Sequence, residues 1–357
     1  MAVSTIDPNG LNVGQLGGTR NLIINGAMQV AQRGTSTTSS GYLVDRFSLN
    51  NNTDGAFTQS QETTSPPLGF GNYLKINTDT ADASIGSTQY LQVLQAVEAY
   101  NIIGTGWGTA SALPVTISFW VKSNVTGTYV FEIQTTGSYE SSHNYTINSS
   151  DVWEYKTVTV PAFTATAITF NNSGGMYLNW WLAAGSTWNT GTISEEWTTG
   201  NTGRASGQVN FASAINNYWQ ITGVQLEVGD TATSFEHESY GTTLQKCQRY
   251  YYQLTPGSGG TIYMVGGVEG ATGGALGGVS FPTVMRVNPT ATILGTNTTK
   301  IYTAATGTDD SITIGGNRCS TTTGSFEFSG LSGATPGQVA VLYNGGSTSG
   351  VSFDAEL

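Results

Sequence analysis

Aromatic side chains set among amides and hydroxyls are the residues of this chain best suited to chemistry. Trp180 and Trp181 are adjacent in Met176-Tyr-Leu-Asn-Trp-Trp-Leu182, and Trp188 and Trp197 bracket the polar stretch Trp188-Asn-Thr-Gly-Thr-Ile-Ser-Glu-Glu-Trp197. An indole face stacks on the apolar face of a sugar ring, while Asn, Asp and Gln exchange hydrogen bonds with its hydroxyls. These four tryptophans are therefore the candidate glycan-binding residues. Core packing is the competing reading for each. Strand alternation sends Trp180 and Trp181 to opposite faces, so at least one belongs to a core. Trp188 and Trp197 lie where burial is less automatic.

No catalytic constellation accompanies them. His143 and His237 are the only histidines, and neither lies near a Gly-x-Ser-x-Gly elbow. No HExxH pattern or nucleotide loop is present. His237, between two glutamates in Phe235-Glu-His-Glu-Ser-Tyr240, reads as a hydrogen-bonded linker histidine, with a pH switch or metal site as the competing reading. Glu195-Glu196, Asp309-Asp310 and Glu227 are nominal glycosidase carboxylates, a pairing that only three dimensions decide. Asp45, Arg46 and Glu227 read as turn, cap or ion-pair residues. The expectation is a protein that is not an enzyme. Asn50-Asn-Asn-Thr-Asp-Gly55 and Asn77-Thr-Asp-Thr-Ala-Asp82 are rich enough in oxygen to suit a structural calcium, but neither follows the EF-hand pattern and such turns form without metal.

The 357 residues carry a formal net charge of −11 with only 12 Lys and Arg. That balance argues against a nucleic-acid or anionic-membrane partner, and no run is long enough to insert into a bilayer. Cys247 and Cys319 are the only cysteines, too few for a disulfide framework or zinc spacing. The opening residues show neither a basic n-region nor an apolar h-region, so synthesis in a cytoplasm is expected.

Strand signals fill residues 20–232. Alternation is clearest in Val115–Lys122 and Trp153–Val160, and Gly, Asn, Ser and Thr clusters supply turns between strands. Asn21–Gly26 reads as a strand, and Gln89–Tyr100 as a strand with a short turn. Trp219 to Val228 reads as a buried strand with a register break at Gly223, where a bulge is expected. Seven or more antiparallel strands predict an all-β chain built on a jelly-roll β-sandwich. Residues 1–19 form a docking arm, and 233–255 a helical connector with its helix over Leu244–Tyr252. Residues 256–357 form a smaller glycine-rich β domain without tryptophan. Its strands are short for a free-standing core, so a symmetric oligomer is expected to supply the burial, most simply a homotrimer. Leu244, Tyr250, Tyr251 and Tyr252 are its candidate contact residues.

The joint from Trp219-Gln-Ile-Thr-Gly-Val-Gln-Leu-Glu-Val-Gly-Asp230 into Leu244-Gln-Lys-Cys-Gln-Arg-Tyr-Tyr-Tyr252 resembles one in tail-fibre and tail-associated proteins of bacteriophages, especially those of marine and cyanobacterial hosts. Asn21-Leu-Ile-Ile-Asn-Gly-Ala-Met-Gln-Val-Ala-Gln-Arg-Gly34, followed by Tyr42-Leu-Val-Asp-Arg-Phe47, resembles the opening of their carbohydrate-binding-module-like domain. Trp107-Gly-Thr-Ala with Val115-Thr-Ile-Ser-Phe-Trp-Val-Lys-Ser123 is similar to a central strand of it, and Gly278 to Thr290 resembles a motif just downstream. Residues beyond 290 match nothing in that pattern. The resemblance implies a non-enzymatic virion fibre that adsorbs to a host-surface glycan. Its arm would dock on a tail adaptor, nozzle or capsid, and it would be made in the host cytoplasm and released in the particle. A head-attached fibre or decoration protein, and a polysaccharide depolymerase, are the alternatives.

Overall fold

The structure, a computed structural model, describes residues 20–254, 262–269, 274–294, 299–303, 306–308, 313–329, 339–344 and 350–357. The expected docking arm and Asp309-Asp310 lie outside the described residues. The chain divides into two compact units, one reaching to Thr243 and including Leu357, the other Leu244–Glu356.

Thirteen strands build the first unit: β1 (Ser36–Thr37), β2 (Gly41–Tyr42), β3 (Ser48–Asn51), β4 (Ala56–Glu62), β5 (Tyr73–Thr80), β6 (Tyr90–Glu98), β7 (Val115–Ser123), β8 (Gly127–Thr135), β9 (Tyr139–Ile147), β10 (Glu154–Val160), β11 (Gly174–Ala184), β12 (Thr198–Thr199) and β13 (Tyr218–Val228). They form two antiparallel sheets, ordered β1-β4-β5-β13-β7-β10 and β12-β9-β8-β11-β6-β3-β2. The fold is all-β, a jelly-roll sandwich. Alternate residues of both sheets meet in one core, among them Phe119, Phe131, Leu178, Trp180 and Trp219. Trp180 sits at its centre, with ring centroids 5.4 Å from Phe131, 5.9 Å from Phe119 and 6.2 Å from Phe47.

The bulge lies where the glycine predicts it. β13 slips its register against β7 between Thr222 and Gln225, and Gly223 has φ 63°. A Cβ there would stand 2.6 Å from the Phe70 ring. The extra residue keeps both Ile221 and Val224 in the core.

Three local expectations change. Asn21–Gly26 is not a strand. The Asn21 side-chain oxygen accepts the Ile23 and Leu226 amides and its Nδ2 donates to the Val224 carbonyl, replacing ladder bonds with side-chain bonds. The helix spans Tyr240–Gln248 and not Leu244–Tyr252, because Tyr251–Leu254 pairs as a strand with Gly350–Asp354. Residues 233–236 run back along β13: Glu227 accepts from Thr233, and Gln225 accepts the Glu236 amide.

The second unit holds a three-stranded sheet of Tyr251–Leu254, Gly350–Asp354 and Thr290–Leu294, and a seven-stranded sheet. Met285, Ala291, Cys319, Val351, Phe353 and Ala355 form a small core beside the three-stranded sheet, with Tyr252 and Phe281 packed on it. Here the expected oligomer contacts need correction. Tyr250 is 0% exposed and Tyr251 5%, so the chain's own fold consumes both side chains. Tyr252 stacks on Phe353 at 6.3 Å, which leaves only Leu244 and Tyr252 partly exposed. Both cysteines are buried and neither forms a disulfide. Among the described residues, no helix is long and apolar enough to cross a membrane.

Candidate functional site

The outer face of the seven-stranded sheet in the first unit carries a set of polar and aromatic groups. Strand alternation turns Tyr90, Gln92 and Leu94 of β6, Tyr177, Asn179 and Trp181 of β11, and Glu132 and Gln134 of β8 away from the core. Register then sets them in rows. Trp181 faces Gln92, which faces Asn50, while Asn179 faces Glu132 and Gln134 faces Glu140.

A loop after β11 arches over this face and brings two further groups. The short helix Ser186–Asn189 carries Trp188, and Arg204 follows on the returning limb. The Ala205 amide donates to the Trp188 carbonyl at 2.8 Å, and Asn189 Nδ2 donates to the Ala184 carbonyl at 2.7 Å. Gln208 Oε1 accepts the Val130 amide at 2.8 Å, anchoring the loop to β8.

Arg204 is the keystone of this arch. Its Nε and Nη2 each donate to Glu132 at 2.7 Å, and Asn179 Nδ2 donates to the same carboxylate at 3.0 Å. The guanidinium carbon lies 5.2 Å from the Trp188 ring centroid and 5.6 Å from that of Trp181. Tyr90 meets both indoles edge-on, at 6.1 and 6.2 Å. The Glu132 side chain is fully buried and that of Arg204 is 18% exposed. Such a pair holds because its forked geometry satisfies the carboxylate. Burial draws the Arg204 pKa down, but the hydrogen bonds and charge of Glu132, with Glu140, outweigh it and the group stays cationic. Burial raises the Glu140 pKa against the opposing Asn201 amide and Arg204.

Two adjoining hollows lie on this face and share Gln134, Trp188 and Arg204. One, of about 260 Å³, lies over Tyr90, Gln92, Asn179 and Trp181; the other, of about 490 Å³, runs past Ser138, Glu140 and Thr202. A trough of this kind offers ring faces, amides that donate and accept, and one neutralised cation. A separate hollow between Asn21 and Phe235, about 20 Å³, admits no more than a water.

The structure brings together two of the four tryptophans singled out in the sequence. Trp181 and Trp188 lie 6.1 Å apart, Trp181 as buried floor and Trp188 half-exposed. Trp180 is 0% exposed and cannot touch a ligand. Trp197 packs against Trp107 at 5.1 Å and Phe163 at 5.0 Å, with Nε1 donating to the Pro161 carbonyl. Its stretch is polar, but the indole closes a gap beside the core. Tyr90, Arg204, Glu132 and Asn179 were missed. Gln alternating with apolar residues through β6 was the one visible sign of a polar outer face.

The other candidate groups lie outside the trough. His143 is buried, donating to or accepting from Ser141 Oγ at 2.9 Å, and burial lowers its pKa to about 4. His237 packs on Phe70 and Phe235. Glu227 is buried among Thr233, Gln225 and Arg20, while Glu195 and Glu196 are exposed. In the oxygen-rich loops, the Asp82 carboxylate accepts the Asp54 and Ser84 amides, and Asn51 closes its own turn on Thr53 and Gly55. Among the described residues, no three His, Cys, Asp or Glu converge as metal ligands.

No protein-family model and no curated protein matches the sequence. Similar solved structures include the enzymatically active domain of tailspike protein 4 of bacteriophage CBA120, at 12% identity and a TM-score of 0.33 over 58% of this chain and 21% of that one. A CBM4 module is 13% identical, with a TM-score of 0.30 over 57% of this chain and 97% of its own. A family 61 module, solved in complex with β-1,4-galactotriose, is 9% identical, with a TM-score of 0.30 over 59% of this chain and 99% of its own.

Proposed function

We propose that the outer face of the seven-stranded sheet binds a neutral host-surface glycan, and that the chain serves as a fibre or fibre-like component of a virion. One observation carries the binding reading: Tyr90, Trp181 and Trp188 cluster around Arg204 in an open trough whose remaining lining is largely amide. Trp188 presents a ring to stack on a sugar face. Gln92, Gln134 and Asn179 read hydroxyls. Glu132 neutralises Arg204, which leaves the guanidinium as an oriented donor and ring partner without calling for an anion.

A single shallow site of this kind binds weakly. Several copies on one particle, in a homotrimer and in several fibres, would multiply the effect through effective concentration. The arm of residues 1–19 would dock the chain to a tail adaptor, nozzle or capsid, and a head-attached fibre or decoration protein would use the same face. Binding without turnover fits the carboxylates of the trough, since Glu132 is held by Arg204 and Glu140 accepts the Asn201 amide.

The test is a glycan array and a host-cell adsorption assay with the full chain and its Trp188→Ala variant. Retention of a neutral glycan by the wild type, lost in the variant, supports the reading. A blank array with no cell adsorption overturns it, and sustained release of reducing ends from host polysaccharide replaces it with a depolymerase.

A further inference from the structure

Residues 233–236 cover one half of the outer face of the six-stranded sheet, and on the other half Lys75, Trp120 and Lys122 stay partly exposed. Gln225 and Glu227 of β13 lie under residues 233–236, beside a cluster of Phe70, Phe235 and His237. Beyond the bulge the Thr222 hydroxyl donates to the Asn72 carbonyl at 2.7 Å. There register aligns Ser60, Lys75, Gln220 and Lys122 in one row across β4, β5, β13 and β7. In the next row Trp120 faces Tyr155, with ring centroids 5.4 Å apart and Tyr155 44% exposed.

Each lysine lies over a ring, Lys75 Nζ 5.4 Å from the Tyr218 centroid and Lys122 Nζ 5.3 Å from that of Trp153. Among the described residues neither has a carboxylate within 4.0 Å, in a chain whose net charge is −11. The acids nearby are engaged elsewhere. Asp151 accepts from Tyr218 and Ser150, Glu62 from Ser60, and Asp79 from Thr58 and Asn77. Between the lysines, Gln220 is 4% exposed and its carbonyl oxygen has no donor.

We propose that this strip is a second saccharide site, selective for an acidic sugar. The anion, a uronate carboxylate or a sulfate ester, is held between Lys75 and Lys122 while an adjoining ring rests on Trp120 and Tyr155. Two strand spacings, about 10 Å, separate the lysine backbones, a span that two flexible stems close on one anion. An ammonium drawn inward has three donors, so it serves both the anion and the Gln220 oxygen below it. Burial draws the Lys122 pKa down, Asp151 draws it up, and Lys75 draws it down again. An anion between the two ammoniums relieves that repulsion.

The proposal does not depend on the trough, and its test keeps the two apart. The full chain, its Lys75→Gln/Lys122→Gln variant and its Trp188→Ala variant are titrated with oligogalacturonate, its methyl ester and a chondroitin sulfate oligosaccharide, at low and high salt. The wild type is expected to bind oligogalacturonate, the chondroitin sulfate or both, weakening as salt rises. The lysine variant is expected to lose on the order of ten-fold or more, the scale of hydrogen bonds to a charged group. Trp188→Ala is expected to change nothing here. The ester comparison needs no variant: if the acid is the form that binds, equal binding of the ester overturns the proposal. So does failure of both acidic saccharides to bind, unchanged binding by the lysine variant, or loss of acid binding in Trp188→Ala. If only the self-association of the chain responds to the lysine substitutions, the strip is a protein contact and the proposal fails.

Discussion

The two outer faces of the sandwich begin from the same antiparallel ladder and are finished in opposite ways. On the seven-stranded sheet an arching loop brings one cation, Arg204, down onto a buried carboxylate and leaves rings and amides at the surface. On the six-stranded sheet a returning segment covers one half, and the other keeps two ammoniums over rings with no carboxylate within 4.0 Å among the described residues. The strands supply positions; whether a cation is neutralised decides what each face attracts.

The largest way to break this contrast is to remove the anchor of the arch. Glu132→Ala strands Arg204 over Trp181 and Trp188, and is expected to lower unfolding free energy by about 3 kcal/mol in a denaturant titration. Glu132→Met with Arg204→Leu is expected to recover most of that loss, since replacing a whole buried pair is far cheaper than removing half of it. On the other sheet, Gly223→Ala forces a side chain into a left-handed conformation and against Phe70. A loss of about 2 kcal/mol is expected in the same titration.

These two sites also mark what the sequence made legible. The bulge could be read because its cause is local, a glycine interrupting an alternating apolar run. Trp180 and Trp181 divided between faces for the same reason. The Glu132–Arg204 pair could not be read, because its members stand 72 residues apart and meet only when the loop folds back on β8. Lys75, Gln220 and Lys122 come into one row through the order of the strands, which alternation within a strand does not contain. Tyr251 and Tyr252 read as helix because their strand partner, Gly350–Asp354, lies at the far end of the chain.

Acid should separate the two sheets. The folded-state pKa of His143 on β9, about 4, lies below its ordinary 6.5, so the unfolded chain takes up a proton first as pH falls between those values. The stability present above pH 6.5 is lost progressively toward pH 4. Asp45 and Glu140, both raised by burial, act with the opposite sign near the lower end. The six-stranded edge differs. At Glu154 burial is outweighed by hydrogen bonds from Lys156, Ser149 and Asn148, holding its pKa at about 2, so its contribution persists until the pH falls below the ordinary 4.5. Melting curves from pH 7 to pH 4 are expected to fall less steeply in His143→Gln than in the wild type. Equal slopes would remove His143 as the cause.

The two remaining tryptophans give a smaller and sharper contrast. Trp197→Ala is expected to cost about 2 kcal/mol of stability and leave glycan retention intact, since its indole packs against Trp107 and Phe163. Trp188→Ala is expected to lose glycan retention, with a stability cost of its own because the indole packs on Arg204, Tyr90 and Trp181.

Calorimetric titration of the neutral oligosaccharide best retained by the wild-type chain, repeated with Trp188→Ala at matched folded fraction, tests the central claim most directly. The account predicts an affinity at least about ten-fold lower in the variant, the scale of a lost aromatic stacking contact. Equal affinity in the two proteins would contradict it and move neutral-glycan binding off the seven-stranded sheet.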